Sequence, residues 1–567
     1  MDNAIRKFIV AYFSHEFQLF DDTVRTSSGG LGVVARDDLY GFEQLKFPAI
    51  GITLWSSHGY ARQIVRDNSW MDIIYPPNPI ERTMIIGSYH MNLSGKQFKV
   101  NIRQINDIHR EHTMLIGLDT DLEENPLDIR LITRTLYGGL HSTASFGCPF
   151  ATEDWIKICQ QALLGIGGMI ALRTLGIEVD LYHMNESHGA YAQMLKYQEL
   201  LNQGYAPVHA EEKIKQRFVY TNHTPIEAGN PVHSLKVSIE ALSAYINADT
   251  MTDLAGGPGS GSLKMTEIAF RLSRKWNGVA DLHAAVIREM YKRPEILGIR
   301  NGIYVPAWQM PEFRDEKDPM KIPEIKTYYK EIVYRECLRR AKECGLTAND
   351  NVVLANFLNA YPTLSFARRW AGYKRLQMPI HERERPMFDR LIDWGLISLI
   401  WGGSPHADDK DRRNDWNHML AETRKHQNAL VFLNYDPWGM KYLKAAADIW
   451  LNFMWFGREA CGTSWMSAML NCALNMSILD GGVPEAKQFV VGYGSTELGG
   501  WEDQYAKDAD AFWKELVGTQ LPRFWHREPE LYNFLFNAKE WAEENLSVIP
   551  TCKRYITELY EMEVPQQ

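Results

Sequence analysis

Strand-like runs alternate with helical patterns almost from end to end of this 567-residue chain. That alternation restricts the fold to βαβ units around largely parallel sheets. Residues 8–14 and 49–54 are compact β-branched and aromatic runs. Residues 154–176 carry a helical period interrupted by Gly165, Gly167 and Gly168. Residues 180–185 read as a strand, 187–201 as a helix and 218–224 as a buried strand. A polar, Pro-rich stretch at 306–323 is the predicted linker. Beyond it, residues 352–361, 396–402, 429–435, 448–453 and 489–493 are read as a second strand series, and the tail, 531–561, as helical throughout. Two such series predict two facing α/β domains with a cleft between them.

The net charge of −9 and pI near 6.0 exclude a nucleic-acid backbone as the main partner, because no basic excess exists to neutralise it. The 7 cysteines include no Cys-x-x-Cys pair, which predicts a reducing cytoplasm rather than a disulfide framework. No long apolar signal core opens the sequence, and the longest apolar run, 162–172, is too short to span a bilayer. The 17 tryptophans fit large packed cores or sugar-stacking surfaces, and composition does not separate the two.

Several short motifs carry candidate chemistry. Gly29, Gly30, Leu31 and Gly32 lie between a strand and a helix-like run, where glycines let backbone amides approach a ligand; a tight turn explains them equally. Residues 366–375 hold four cations, among them Arg369 and Lys374, suited to phosphate oxygens or to a solvated basic helix start. Gly462, Thr463 and Ser464 open a further helix that offers amides to an anion, or a simple cap, and Glu459 before it could accept sugar hydroxyls. His183 and His188 are five apart, unlike a helical metal pair. Asp408, Asp409 and Asp411 sit in a dense charge run and read as a solvated face rather than glycosidase carboxylates.

In this order, the motifs resemble the α-glucan phosphorylases, especially their shorter microbial branch. The segment 459–471, Glu-Ala-Cys-Gly-Thr-Ser-Trp-Met-Ser-Ala-Met-Leu-Asn, is similar to that family's signature. So are residues 11–17, 29–32, 118–121, 136–139, 183–188 and 220–225, with Ala228 and Gly229. Asn277 to Val279 with His283, Asn301 with Trp308, Tyr435, and Asp480 with Glu485 extend the likeness, and Arg369 and Lys374 have the spacing of the family's phosphate-binding pair.

The resemblance implies an α/β fold of the GT-B type: two facing Rossmann-like domains, residues 1–310 and 311–540, with a C-terminal helix, 541–567, crossing back. It implies a glucosyl site between Gly30, Leu31, Gly32 and Glu459. The His223 main-chain carbonyl would face the anomeric carbon, Asn301 would hold a sugar hydroxyl, Tyr435 would form part of the pocket wall, and Arg369 and Lys374 would stabilise phosphate charge. Bond breaking would retain α configuration.

The departures change the chemistry. Ser467 stands where the family's lysine holds pyridoxal phosphate as a Schiff base, and a hydroxyl forms no imine. Trp465 would place bulk near the cofactor pocket, Gly403 stands where a lysine is common, and Cys472 replaces a glycine. Tyr304 departs from a common histidine or threonine. A vacated cofactor space leaves room for the second phosphate of a nucleotide diphosphate, held by Cys461, Gly462, Thr463, Ser464, Arg369 and Lys374. The expectation is a cofactor-independent retaining glycosyltransferase using a UDP- or ADP-glucose type donor and a carbohydrate acceptor, without metal, nucleic acid or membrane, as a possible homo-oligomer. The alternatives are a phosphorylase with non-covalent or no pyridoxal phosphate, and a catalytically silent glucan-binding relative.

Overall fold

The computed structural model describes residues 7–19, 23–67, 69–136, 153–226, 229–347, 352–378, 385–406, 409–497 and 499–565. Two sheets dominate. The first has nine strands in the order β13-β12-β9-β8-β1-β2-β7-β6-β5. These strands are β1 (Lys7–Ser14), β2 (Ala49–Leu54), β5 (Thr83–Leu93), β6 (Lys96–Ile105), β7 (Thr113–Asp119), β8 (Glu178–Asn185), β9 (Phe218–Asn222), β12 (Lys275–Gly278) and β13 (Leu297–Gly298). Two short antiparallel ribbons lie outside it: β3 (Arg62–Arg66) with β4 (Trp70–Ile74), and β10 (Val232–Ser234) with β11 (Ser262–Lys264). From β13 to β7 every pairing is parallel, whereas β5, β6 and β7 pair antiparallel. The sheet is therefore mixed, with an antiparallel edge that the alternation of strand and helix did not foretell.

The second sheet is wholly parallel, in the order β16-β15-β14-β17-β18-β19. Its strands are β14 (Thr363–Ala367), β15 (Ser398–Gly402), β16 (Ala429–Phe432), β17 (Ile449–Asn452), β18 (Leu474–Ser477) and β19 (Val490–Gly492). Counted from its own first strand, the order is 3-2-1-4-5-6, so the direction of winding reverses between β14 and β17. In the first sheet the chain likewise winds outward from β1, through β2 on one side and β8 on the other.

Three expectations need correction. Residues 352–361 do not form a strand: Leu354–Asn359 is helical, and the strand that precedes the basic cluster is β14. A short apolar run has no period that separates a strand from a buried helix. The glycines at 165–168 do not interrupt their helix. Glu153–Thr174 is one 22-residue helix with a π-turn at Leu163–Gly167. A Cβ on Gly165 would lie 2.6 Å from the Ala192 amide nitrogen, so glycine here permits close packing. This helix is long and apolar enough to cross a membrane, yet 83% of its apolar window is buried inside the protein. The 306–323 stretch holds two short helices, Val305–Trp308 and Pro311–Asp315, rather than open linker.

The tail is three helical pieces, Pro529–Asn545, Val548–Arg554 and a π-turn at Tyr555–Leu559. The last two pack on the Gly30–Gln44 helix beneath the first sheet: Cys552 Sγ donates to the Asp38 carbonyl, and Tyr555, Ile556, Leu559 and Tyr560 share a core cluster with Tyr12, Leu39 and Phe42. The six described cysteines are free and buried.

Candidate functional site

Open α/β sheets bind ligands beyond strand C-termini where the winding reverses. A cavity of about 440 Å³ occupies that position for both sheets. Glu16 follows β1, Glu186 follows β8 and His223 follows β9. Opposite them, Arg368 and Arg369 follow β14, Tyr435 follows β16, and Glu459 lies on the loop after β17. The cavity brings together His223, Arg369, Lys374, Glu459, Gly30, Leu31, Asn301, Tyr435, Cys461, Gly462, Thr463 and Ser464. Gly32 and Ser467 are not in its wall. Gly32 turns inward, where a Cβ would meet Ser27 Oγ at 2.6 Å.

The glycine loop is braced by a carboxylate. Glu16 Oε2 accepts from Ser27 Oγ (2.6 Å) and the Ser28 amide (3.0 Å), and Oε1 accepts from Ser28 Oγ (2.6 Å). Glu186 does the same for the His223 turn. Its Oε1 accepts from the His223 amide (2.6 Å) and Thr224 Oγ1 (2.9 Å). The His223 ring hydrogen-bonds Asn185 Oδ1 through Nε2 at 2.6 Å; an amide oxygen only accepts, so Nε2 carries the proton. Burial, then His283 and His188, bring the His223 pKa down to about 3, so the ring is neutral.

Glu459 is positioned by Asp480, whose Oδ2 accepts from the Glu459 amide (2.9 Å) and the Arg458 amide (3.0 Å). The phosphate cation and the sugar acceptor expected from the sequence hold each other here: Lys374 Nζ lies 2.7 Å from Glu459 Oε2, with side chains 12% and 10% exposed. Asn301 Nδ2 donates to the Cys461 carbonyl at 3.2 Å, while its buried Oδ1 has no partner among the described residues. That acceptor is available to a sugar hydroxyl. Burial pushes the Cys461 thiol up to about 12, so it is no thiolate nucleophile. Thr463 is the N-cap of Ser464–Met469 but makes no side-chain cap bond, and the helix is only 6 residues long. Its dipole is correspondingly small.

The departures have local causes. Gly403 has φ +109°, and a Cβ there would lie 1.9 Å from the Arg368 carbonyl, so no other residue fits. Trp465 is buried in the second sheet's core and does not enter the cavity wall, contrary to expectation. Tyr304 stacks on Tyr40 at 4.7 Å, away from the cavity. Cys472 adopts φ +54°, the left-handed region a glycine occupies more easily. Ser467 is 1% exposed, and Lys444 Nζ donates to its hydroxyl at 2.5 Å. The space at residue 467 is thus filled by side chains, and its hydroxyl cannot form an imine; the residues at this position do not fit pyridoxal phosphate held through residue 467.

Sequence reasoning missed Glu16, Glu186, Arg368 and Lys444 as cavity residues. Lys444 had a readable signal, a lysine flanked by Met440, Leu443 and Ala447 on an apolar helix face. His183 serves the fold: Nδ1 meets Tyr560 OH at 2.7 Å and Nε2 meets Thr221 Oγ1 at 2.6 Å. Among the described residues no three His, Cys, Asp or Glu side chains come together as a metal site. Asp409 caps the Lys410–Thr423 helix, and Asp411 lies in its first turn; Asp408 falls outside the described residues, as do residues 137–139 and Ala228.

No protein-family model matches the chain. It is 28% identical over 489 residues to an uncharacterized protein of Methanocaldococcus jannaschii, covering 83% of this chain and 84% of the other. It is 26% identical over 597 residues to a glycogen phosphorylase of Mycobacterium tuberculosis, covering 92% of this chain, and spans 66% of that protein's length. With a maltodextrin phosphorylase of Thermococcus litoralis it shares 25% identity over 596 residues, covering 94% of this chain and 68% of the other. The cavity lies among the motifs through which the sequence resembles these proteins, and the chain is a relative of the glycogen and maltodextrin phosphorylases.

Proposed function

We propose that the chain is a retaining glycosyltransferase of GT-B type, with Rossmann-like domains 1–310 and 311–540 facing across the cavity and residues 541–567 returning to the first. It transfers a hexose, glucose first among them, from a nucleotide sugar to an α-glucan or a small sugar or polyol. One observation carries this reading. Arg368, Arg369 and Lys444 all reach the cavity, and none has a carboxylate ion-pair partner among the described residues. Phosphate oxygens suit such cations, on which Glu459 and Glu16 act through their fields and not through direct ion pairs. No covalently bound pyridoxal phosphate is used through residue 467, because Ser467 has neither the chemistry nor the space.

In this reading the hexose lies between Gly30, Leu31 and Glu459, with Asn301 Oδ1 accepting from a hydroxyl. Donor binding draws Lys374 from Glu459 toward phosphate and frees the carboxylate for the sugar. Positive charge fixed around the leaving diphosphate then stabilises the bond-breaking transition state. The neutral His223 ring anchors its turn and leaves the main-chain carbonyl beside the anomeric carbon. The free buried cysteines fit a reducing, cytoplasmic setting.

The names of the relatives favour a second reading, an α-glucan phosphorylase working without covalent cofactor. Product analysis decides between them: maltodextrin with phosphate, beside maltodextrin with UDP-glucose or ADP-glucose. Transfer from a nucleotide sugar supports the first reading. Glucose 1-phosphate formation without such transfer overturns it in favour of phosphorolysis, and turnover with neither marks a silent relative.

A further inference from the structure

Four lysines around the second sheet are buried among the described residues, and one of them, Lys539, is ion-paired with Glu540 and Glu543. Lys326 Nζ donates to the carbonyls of Ala447 (2.6 Å), Asn471 (2.5 Å) and Lys444 (3.4 Å), and Lys330 Nζ donates to the Ala360 carbonyl at 2.6 Å. Neither reaches the cavity, and both tie secondary structure together. Lys444 differs. It lies on the Pro437–Ala446 helix, is 3% exposed, and lines the cavity. Its hydrogen-bond acceptor is the Ser467 hydroxyl at 2.5 Å, and its Nζ sits 4.5 Å from the Trp308 ring centroid and 5.7 Å from that of Trp450. An ammonium group has three donors, so two remain to be satisfied. No carboxylate pairs with it among the described residues. Nearby Arg368 is also buried, with Nε unpartnered and Nη2 3.4 Å from Ser464 Oγ.

Two buried cations beside a cavity, neither in direct ion-pair contact with a carboxylate among the described residues and only Arg368 within the field of Glu459, are expensive unless an anion completes them. We propose that Lys444 is a ligand-binding cation that, with Arg368, receives a phosphate group of the bound donor. The inference rests on the reading of a phosphate-bearing donor above and names the group that recognises it. It also gives the position of residue 467 a role: the serine orients the Lys444 amine. The groups facing Lys444 set its protonation. Burial acts first and the charge of Arg368 second; Asp37 and Arg36 on the Gly30–Gln44 helix oppose one another, and the pKa falls to about 7. About half of the molecules therefore carry the proton at neutral pH. Phosphate at Nζ raises that pKa, so binding takes up a proton, and affinity falls as pH rises through about 7.

Calorimetric titration with UDP-glucose tests this, because neither of its phosphates titrates near neutrality. Measured at pH 7 in two buffers of different ionisation enthalpy, the wild-type enzyme should take up about half a proton, and affinity should weaken several-fold between pH 6 and 8.5. Lys444→Met, which removes a buried charge at similar volume, should bind at least ~10-fold more weakly, with no uptake and a flat pH profile. Unchanged affinity and pH dependence in Lys444→Met overturn the proposal, and so does the absence of proton uptake in the wild type, a measurement that needs no variant. If UDP-glucose does not bind but glucose 1-phosphate or inorganic phosphate, both largely dianionic at pH 8, shows uptake that Lys444→Met abolishes, the cation assignment stands and the nucleotide-sugar reading falls. If none of the three binds with proton uptake, the assignment falls. Treatment with pyridoxal phosphate and borohydride provides the last arm. A reduced adduct at Lys444 that UDP-glucose or glucose 1-phosphate suppresses supports a free amine facing a phosphate site, and labelling that neither ligand affects overturns that role.

Discussion

Lys374 and Glu459 constrain one another in the ligand-free site, and their separate roles can be told apart by mutation. Lys374→Ala should lower turnover by about 10²–10³. It should also cost stability, about 3 kcal/mol, because Glu459 is left largely buried without its cation. The double variant Lys374→Met/Glu459→Gln should recover most of that stability and none of the turnover. Denaturant unfolding beside initial rates checks both parts, and wild-type rates in Lys374→Ala would exclude the lysine from the chemistry. Gly403→Ala should destabilise by at least ~3 kcal/mol, since the added carbon meets the Arg368 carbonyl at 1.9 Å in a left-handed backbone. Gly518→Ala is the control, with no atom within 4 Å. Equal unfolding midpoints for the two would remove the steric argument. The sequence showed Gly403 and Ser467 as departures because each could be set beside a familiar motif. It could not show why: φ at 403 and the amine over 467 depend on residues distant in the chain, Arg368 and Lys444.

At the scale of elements, the periodic segments were legible and their interruptions were not. The strands at 49–54 and 180–185 and the helix at 187–201 carry patterns long enough to read, and the structure shows Ala49–Leu54, Glu178–Asn185 and Ala190–Asn202. Residues 352–361 misled because eight of the ten are apolar, broken only by Asn356 and Asn359, which suits either state, and tertiary packing decided for a helix turn. The glycines at 165–168 were read as breaks because local propensity treats glycine as a helix weakener. Their purpose is contact across elements. Gly165→Ala should therefore cost about 1–3 kcal/mol by overpacking against the helix that starts at Ala190, although alanine is the better helix former. Chemical denaturation measures it, and a gain in stability would return the glycine to a local role.

At the scale of the molecule, buried histidines make folding sensitive to acid. Burial lowers His183 to about 3 and His283 to about 4, against an ordinary value near 6.5. A depressed pKa gives stability that is complete above the unfolded value and is lost as pH falls from about 6.5 toward 4. Each group should cost on the order of 2 kcal/mol between pH 6.5 and 5. Asp38, raised by burial to about 8, acts with the opposite slope. The signature is therefore the difference between wild type and His283→Gln, whose stability should fall less on acidification; parallel curves would refute it. His183 also ties β8 of the first sheet to the turn after the 555–559 helical piece through its bond to Tyr560. The core beneath the first strands is completed by Cys552 and its neighbours, 514 positions beyond Asp38. β1 is synthesised long before the closing helices, and the apolar floor of its sheet stays open until they leave the exit tunnel. The first sheet thus waits, during synthesis, for residues made 514 positions after Asp38 of its covering helix, and a chaperone that shields it is needed across that interval.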